Sequence, residues 1–132
     1  MISLDTNILV RYLVNDDVDQ SAAARGLAST LTAEEPAFVC REVLVELVWV
    51  LDRSYGFSRD AISAALLDML SREGIVLETS DDVARAVLGY RRGDADFSDL
   101  MIAAASRREG ALPLYTFDQR ASGIDGVRLL DA

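Results

Sequence analysis

Four acidic residues occur in sequence contexts where a carboxylate could take part in catalysis. Asp5 and Asp118 each follow a short apolar segment, Glu46 interrupts a long apolar run, and Asp99 begins a further apolar stretch three residues after Asp96. Carboxylates that cluster repel one another, and some stay protonated, unless a cation is bound. With Mg²⁺ or Mn²⁺, such a cluster polarises a phosphate and activates a water molecule for in-line attack. These residues therefore predict metal-dependent phosphoryl chemistry.

The composition excludes the other common catalytic groups. The 132 residues include no histidine and no lysine, since all 13 basic residues are arginine, and there is one cysteine, Cys40. Ser-His-Asp triads and Cys-His pairs need an imidazole, and Schiff-base and Walker A chemistry need lysine. Zinc sites built on histidine or several cysteines are excluded as well. The 22 acidic residues leave carboxylate chemistry with a hard cation that takes oxygen ligands.

Helix capping is the competing interpretation of most of these acids. Asp5 and Asp118 could each cap the helix that follows, as Asp commonly does. Asp96 could be an N-cap, with Asp99 in the first helical turn. Small residues share the helix face of Asp99, and they would allow close packing against a sheet. This favours Asp99 over Asp96 as the carboxylate that points inward.

Glu46 has two interpretations that its position alone leaves open. At about 100° per residue, Glu42, Glu46, Trp49 and Arg53 share one stripe of a helix. The stripe could be an exposed polar face on a helix that is otherwise buried. It is also narrow, so Glu46 could lie close to packed structure, where a carboxylate needs a cation or hydrogen bonds.

Short apolar segments alternate with longer amphipathic ones along the chain, and this pattern predicts five strands separated by helices. Such alternation is typical of a parallel sheet with helices on both faces, whose strands end at one edge where ligands bind. We predict strands over residues 2–4, 37–39, 75–77, 114–116 and 127–129. We predict helices over 7–14, 19–31, 41–55, 58–72, 80–90 and 97–109.

Length and composition predict one domain without a membrane span. The chain has 51% hydrophobic residues, enough for a sizeable core, and its length fits one domain. A lone cysteine suits a reducing cytosol, and neither a signal peptide nor an apolar run of 18 residues is visible. The net charge of −9 disfavours broad, non-specific nucleic-acid binding and favours a basic partner. Because of the lone cysteine and the lack of a visible signal peptide or membrane span, we expect a cytoplasmic protein.

Four segments together resemble a known family. They are LDTNIL at residues 4–9, LVELVWVL at 44–51, ADFSDLMIA at 95–103 and YTFD at 115–118. In this order and spacing the chain resembles the PIN domain, and within it the VapC-type ribonuclease toxins of bacterial toxin–antitoxin pairs. The resemblance extends over the whole chain, and its motifs are more specific for a PIN domain than for a toxin.

The resemblance implies a fold, an activity and partners. The fold is a three-layer α/β/α sandwich with a five-stranded parallel sheet, formed here by residues 1–132 as a single domain. The implied activity is Mg²⁺- or Mn²⁺-dependent endonucleolytic cleavage of RNA. The implied partners are a second copy of the chain, in a homodimer, and a small antitoxin that inserts basic side chains near the site. The acidic net charge agrees with such an antitoxin.

The resemblance also assigns roles by motif. The core metal-binding carboxylates correspond to Asp5, Glu46 and Asp99, and the more variable fourth acid to Asp118. Asp96 corresponds to a frequent auxiliary acid. The polar positions beside the acids, which could orient a carboxylate or water, correspond to Thr6, Asn7 and Thr116.

Phosphate contacts have to come from arginine, because the chain has no lysine. Any one arginine could equally be a solvated surface residue, and the candidates are Arg11, Arg91, Arg92, Arg107, Arg108 and Arg120. We select Arg91, Arg92 and Arg120 as RNA-binding residues because they lie near the acidic segments in the sequence. Tyr90 and Trp49 could stack on a base or pack in a core or dimer interface.

Other functions remain as alternatives. A phosphoacceptor receiver domain normally needs a lysine, and a haloacid-dehalogenase-like phosphatase needs a second Asp where this chain has Asn7. A PIN nuclease of RNA processing that is not a toxin fits the same motifs. A non-catalytic PIN-like binding module would have lost acids, and here all four are present.

Overall fold

Helices and short strands alternate along the chain. The computed structural model describes all 132 residues, which divide into two compact units, residues 1–80 and 81–132. The elements are β1 (Ile2–Ser3), α1 (Thr6–Leu13), α2 (Val18–Ala28), β2 (Ala37–Val39), α3 (Arg41–Arg53), α4 (Arg59–Ser71), β3 (Ile75–Leu77), α5 (Ser80–Arg92), α6 (Phe97–Arg108), β4 (Leu114–Thr116) and β5 (Val127–Leu129), with a 3₁₀ turn at Ala121–Gly123.

The first unit contains a parallel sheet with the strand order β1-β2-β3. Ile2 is in register with Ala37, and Ala37 is in register with Ile75. The central strand is the most buried, because Ala37 and Val39 are both fully inaccessible to solvent. Since the strands are parallel, their carboxyl ends share one edge of this sheet, and Asp5 follows the end of β1.

Apolar spacing of three and four residues determines which helix faces are buried in this unit. Leu44, Leu47 and Leu51 of α3 are fully buried, as expected for one stripe of an amphipathic helix. Helix α1 contacts both α2 and α3. Helix α4 begins where the sequence predicts, because the Ser58 hydroxyl accepts a hydrogen bond from the Ala61 amide at 3.1 Å.

The start of α3 is capped by a residue from another element. Its N-cap, Cys40, makes no side-chain cap. Instead, Oε1 of Glu78, just after β3, accepts a hydrogen bond from the Arg41 amide at 2.8 Å. The Arg41 guanidinium also donates to the Thr79 hydroxyl at 2.5 Å. These bonds connect the ends of β2 and β3 at the carboxyl edge of the sheet.

The second unit contains two parallel strands and two helices. Strands β4 and β5 pair over three residues, with Leu114 opposite Val127 and Thr116 opposite Leu129. The rings of Tyr90 and Phe97 meet edge to face with centroids 6.1 Å apart, so Tyr90 is a core residue. The other large buried side chains of this unit are Val83, Val87 and Met101.

The α/β class and the parallel strands are confirmed, but the pairing differs from the single five-stranded sheet that was expected. The strands form one three-stranded and one two-stranded sheet. Each strand is two or three residues long and offers few backbone groups for a ladder. No helix combines the length and apolarity needed to cross a membrane.

Candidate active site

Asp5 lies two residues after the end of β1 and is the N-cap of α1, so the strand-end and capping interpretations are both correct. Its backbone is extended, and Oδ1 accepts a hydrogen bond from the Thr6 amide at 2.7 Å. The side chain is exposed and forms no ion pair with an arginine of its own unit. Because the cap occupies only Oδ1, Oδ2 remains available to a ligand.

Thr6 places a buried hydroxyl directly beside Asp5. The residue is only 3% exposed, and its Oγ1 has no hydrogen-bond partner in the protein. Buried hydroxyls are nearly always paired with protein or with ordered water. Thr6 therefore has hydrogen-bonding capacity for an ordered internal water, while the neighbouring Asn7 is exposed.

Glu46 lies on the exposed side of α3. Glu42, Trp49 and Arg53 of the same stripe are exposed with it, and Trp49 retains 59% of its accessible surface. The interpretation of the stripe as an exposed polar face is therefore correct, and Glu46 does not lie within packed structure. Glu46 forms no ion pair with an arginine of its unit, so its carboxylate is accessible and uncompensated.

Three carboxylates interact around the start of α6. Asp99 is half-buried, whereas Asp96 and Asp118 are exposed, which confirms Asp99 as the more inward member of the predicted pair. Burial raises the pKa of Asp99 above its ordinary value, and the negative charges of Asp118 and Asp96 raise this pKa further. Asp96 has the N-cap position of α6, but its side chain makes no capping bond. Asp99 and Asp118 form no ion pair with an arginine of this unit, so their two negative charges are not neutralised there.

Asp118 is held by backbone hydrogen bonds on both sides. Its Oδ1 accepts from the amides of Arg120 at 2.8 Å and Ala121 at 3.1 Å. Its own amide donates to the Thr116 hydroxyl at 3.0 Å. The Thr116 hydroxyl therefore fixes the backbone at Asp118. As with Asp5, the turn uses one carboxylate oxygen and leaves Oδ2 available.

The comparisons with known proteins decide the family. A family model described as PIN domain matches residues 2–127. The chain belongs to the PIN-domain family. The match extends over both compact units, and it bears out the resemblance of the four motif segments. The chain is also similar to a protein named "VapC ribonuclease" from Aquifex aeolicus (strain VF5), with 23% identity over 117 residues, which is 89% of this chain and 87% of that protein.

The residues of this PIN domain fit a cation that is coordinated partly by protein carboxylates and partly by substrate oxygens. Nowhere do three or more Asp, Glu or Cys side chains form a group that could hold a metal ion. Mg²⁺, however, is usually held by one or two carboxylates together with waters and substrate phosphates, not by an all-protein cage. Asp99 and Asp118 are such a pair, and neither forms an ion pair with an arginine of its unit.

The three arginines selected from the sequence differ in what they contact. Arg92 donates from Nε to the Asp94 carboxylate at 3.1 Å, so its charge is already paired. Arg120 donates from Nη2 to the Gly93 carbonyl at 2.7 Å and has no acidic partner. Arg91 is exposed in the last turn of α5. Arg120 is thus the best placed of the three to bind a phosphate.

Sequence reasoning overlooked other residues. Arg128 was not among the candidates, yet its side chain is exposed and makes no hydrogen bond or ion pair. Tyr115 is also exposed, and it is the residue in register with Arg128. The signal lies in the two strands themselves, since Leu-Tyr-Thr and Val-Arg-Leu each place the middle side chain on the opposite face from its neighbours.

Proposed function

We propose that this PIN-domain protein is a divalent-cation-dependent endoribonuclease that acts as the toxin of a toxin–antitoxin pair. The observation that carries the proposal is the interaction of Asp99 with Asp118, two carboxylates of one unit that form no ion pair with an arginine. It is supported by the family match and by the similarity to a relative named as a VapC ribonuclease. We also propose that residues 1–132 form a single three-layer PIN domain.

The proposed roles of the acids rest on two kinds of support. Asp99 and Asp118 are assigned to metal binding on their interaction and on the absence of a paired cation. Asp5 and Glu46 are assigned on their match to the family motifs and on their exposed, unpaired carboxylates. Asp96 is an auxiliary acid that adds negative charge near Asp99.

The chemistry follows from what these residues can hold and orient. A bound Mg²⁺ or Mn²⁺ would polarise the phosphodiester and lower the pKa of an attacking water. Thr116 holds the turn that presents Asp118, and the buried Thr6 hydroxyl would bind an ordered water beside Asp5. Because a cation binds the deprotonated carboxylate and burial raises the pKa of Asp99, cation binding there should weaken as the pH falls. Arg91, Arg92 and Arg120 are proposed to contact RNA phosphates.

The proposed partners follow from charge and from the family. The net charge of −9 would attract a basic antitoxin segment, which would compete with the cation for the same carboxylates. A homodimer and a cytoplasmic location complete the proposal.

Inducible expression in a bacterial host tests the toxin function. The wild type should arrest growth and degrade RNA, whereas Asp5→Asn should do neither, because Asn keeps the helix cap and loses the carboxylate. Asp131→Asn is the matched control, an exposed acid near the chain end, and should arrest growth like the wild type. Arrest by Asp5→Asn at equal protein levels would contradict the proposal. RNA cleavage by the purified wild type without any arrest would instead identify a PIN nuclease that is not a toxin.

A further inference from the structure

Arg120 connects the turn that carries Asp118 to the loop that precedes α6. Its Nη2 donates a hydrogen bond to the Gly93 carbonyl at 2.7 Å, between residues 27 positions apart in the chain. Its backbone amide donates to Oδ1 of Asp118 at 2.8 Å. One residue therefore contacts the carboxylate of Asp118 through its amide and, through its side chain, the segment that leads into α6 and Asp99.

The Gly93 carbonyl is a fixed acceptor at the end of α5. Gly93 follows Arg92, the last residue of this helix, with a left-handed φ of +81°, the conformation in which glycine commonly ends a helix. The amides of Gly93 and Asp94 donate back to the carbonyls of Tyr90 and Gly89, both at 3.0 Å. Since the carboxyl end of a helix is partly negative, this carbonyl is also a favourable partner for a guanidinium.

Direct packing between α6 and the Asp118 turn is incomplete. A cavity of about 130 Å³ lies there, and its lining includes Asp99, Ile102, Thr116, Ala121 and Ile124. A void deprives its lining of part of its packing contacts, so hydrogen bonds matter more for the relative position of the two segments. Arg107 connects the far end of α6 to the Asp125 carbonyl at 2.8 Å, and Arg120 makes the corresponding connection at the end where the acids lie.

This connection does not neutralise the acids. Arg120 donates to a carbonyl and forms no ion pair, so its charge is compensated by the end of α5 and not by a carboxylate. Asp118 uses Oδ1 for the amides of Arg120 and Ala121, which leaves Oδ2 for a cation. A guanidinium has five N–H donors, so those not bonded to Gly93 are free to contact a phosphate as well.

We propose that Arg120 is a positioning residue, which holds the Asp118 turn to the α5–α6 loop and thereby sets the separation of the two proposed metal-binding carboxylates, Asp99 and Asp118. It acts on the cation site through its hydrogen bond to Gly93, and this role is separate from any phosphate contact of the same guanidinium. Removing a group that orients metal ligands typically costs 10- to 100-fold in metal affinity or activity. The inference deepens the proposed function and rests on it.

Calorimetric titration of the purified protein with Mn²⁺ alone, without RNA, tests this role. Arg120→Gln should weaken the Kd for Mn²⁺ about 10- to 100-fold. The loss of a positive charge near two carboxylates would, by Coulomb interaction alone, have the opposite sign and tighten Mn²⁺ binding. Arg120→Lys keeps an N–H donor and should recover most of the loss. An unchanged or tighter Kd for Arg120→Gln would overturn the proposal.

Arg85→Gln is the matched control for the change in charge. Arg85 is exposed in the same unit and forms no ion pair, so its replacement should leave the Kd for Mn²⁺ at the wild-type value. A loss of Mn²⁺ affinity as large as that of Arg120→Gln would show a general effect of charge and overturn the proposal.

A double-mutant cycle shows whether Arg120 acts through Asp118. In an Asp118→Asn background, Arg120→Gln should change the Kd for Mn²⁺ by no more than about 2-fold, the usual scatter of additivity, because the ligand that it positions is already lost. Losses that multiply in the double variant would mean that Arg120 acts independently of Asp118, and they would overturn the proposal.

Amide hydrogen exchange in a chelator measures the same connection without metal. The amides of position 120 and of Ala121 bond to Asp118, and in Arg120→Gln they should exchange at least about 10-fold faster, as expected for loss of a hydrogen bond from a charged donor. Unchanged protection would overturn the proposal. If the wild type neither binds Mn²⁺ nor cleaves RNA with a divalent cation, the proposed nuclease function fails, and the exchange result alone decides whether Arg120 holds the turn.

Discussion

Asp99→Asn should stabilise the fold at neutral pH while removing activity. Burial and the neighbouring carboxylates of Asp118 and Asp96 raise the pKa of Asp99 above its ordinary value of 3.8. The folded state therefore binds this proton more tightly than the unfolded state, so the free energy of unfolding falls as pH rises from about 3.8 through the raised pKa. Above that window the ionised Asp99 destabilises the fold, and an uncharged Asn removes the penalty.

The size of the effect follows from the exposure of the group. Asp99 is only half-buried, so water screens its repulsion, and exposed charge pairs are worth about 0.2–1 kcal/mol each. With two carboxylates acting on Asp99, we expect a gain in unfolding free energy of about 1 kcal/mol. For a chain of this length, that corresponds to a rise in Tm of about 3–6 °C.

Thermal unfolding in a chelator, followed by circular dichroism, measures this difference. At pH 7.5, Asp99→Asn should have the higher Tm, and near pH 3.5 the two proteins should unfold together because Asp99 is then protonated. Adding Mn²⁺ should raise the Tm of the wild type more than that of the variant, since a ligand stabilises only the state that binds it. Asp131→Asn controls for the loss of one negative charge, and its Tm should equal that of the wild type at both pH values. A lower Tm for Asp99→Asn at pH 7.5, or a difference that does not depend on pH, would refute the reasoning.

The remaining predictions separate stability from chemistry. Asp5→Asn should unfold like the wild type. Asp5→Ala should lower the free energy of unfolding by about 1 kcal/mol, because Ala cannot accept the hydrogen bond from the Thr6 amide. Equal urea midpoints for the two variants would show that the cap contributes nothing. Ser58→Ala should likewise cost about 1 kcal/mol and Ser58→Asp should restore it, both read from urea unfolding. Leu47→Ala, at a fully buried position of α3, should cost about 2–5 kcal/mol, and a loss below 1 kcal/mol would mean that α3 is not packed as described. Thr116→Val should leave Tm within 2–3 °C, an effect of about 0.5 kcal/mol, but reduce RNA cleavage about 10- to 100-fold, because the Asp118 amide loses its hydroxyl acceptor.

Local sequence signals predicted the elements well where apolar spacing and turn residues agree. The strands Ala37–Val39, Ile75–Leu77, Leu114–Thr116 and Val127–Leu129 were predicted with their observed bounds. The predicted helix 19–31 ends three residues earlier. There the Ser29 and Thr30 hydroxyls donate to the carbonyls of Gly26 and Leu27 and compete with continuation of the helix. Such competition depends on rotamers that a spacing pattern does not contain.

Residue type and motif were enough to select the candidate acids, but they did not predict the environment of each acid. The sequence predicted Asp99 as the inward carboxylate, because the small residues on its helix face constrain packing. It did not show that Glu78 caps α3 or that the Thr6 hydroxyl is buried without a partner, since both depend on contacts between distant segments. For the same reason Arg92 was selected although Asp94 pairs with it, while the unpaired Arg128 was overlooked.

Cleavage of RNA by the purified protein is the most direct test of the central claim, that these carboxylates support divalent-cation-dependent ribonuclease activity. An end-labelled single-stranded RNA is incubated with excess enzyme, and the single-turnover rate is measured against Mn²⁺ or Mg²⁺ concentration. The wild type and Asp131→Asn should cleave at a rate that rises with the cation and vanishes in a chelator, whereas Asp99→Asn and Asp5→Asn should be inactive despite a native circular dichroism spectrum. Cleavage by folded Asp99→Asn at the wild-type rate, or undiminished cleavage in the chelator, would contradict the claim.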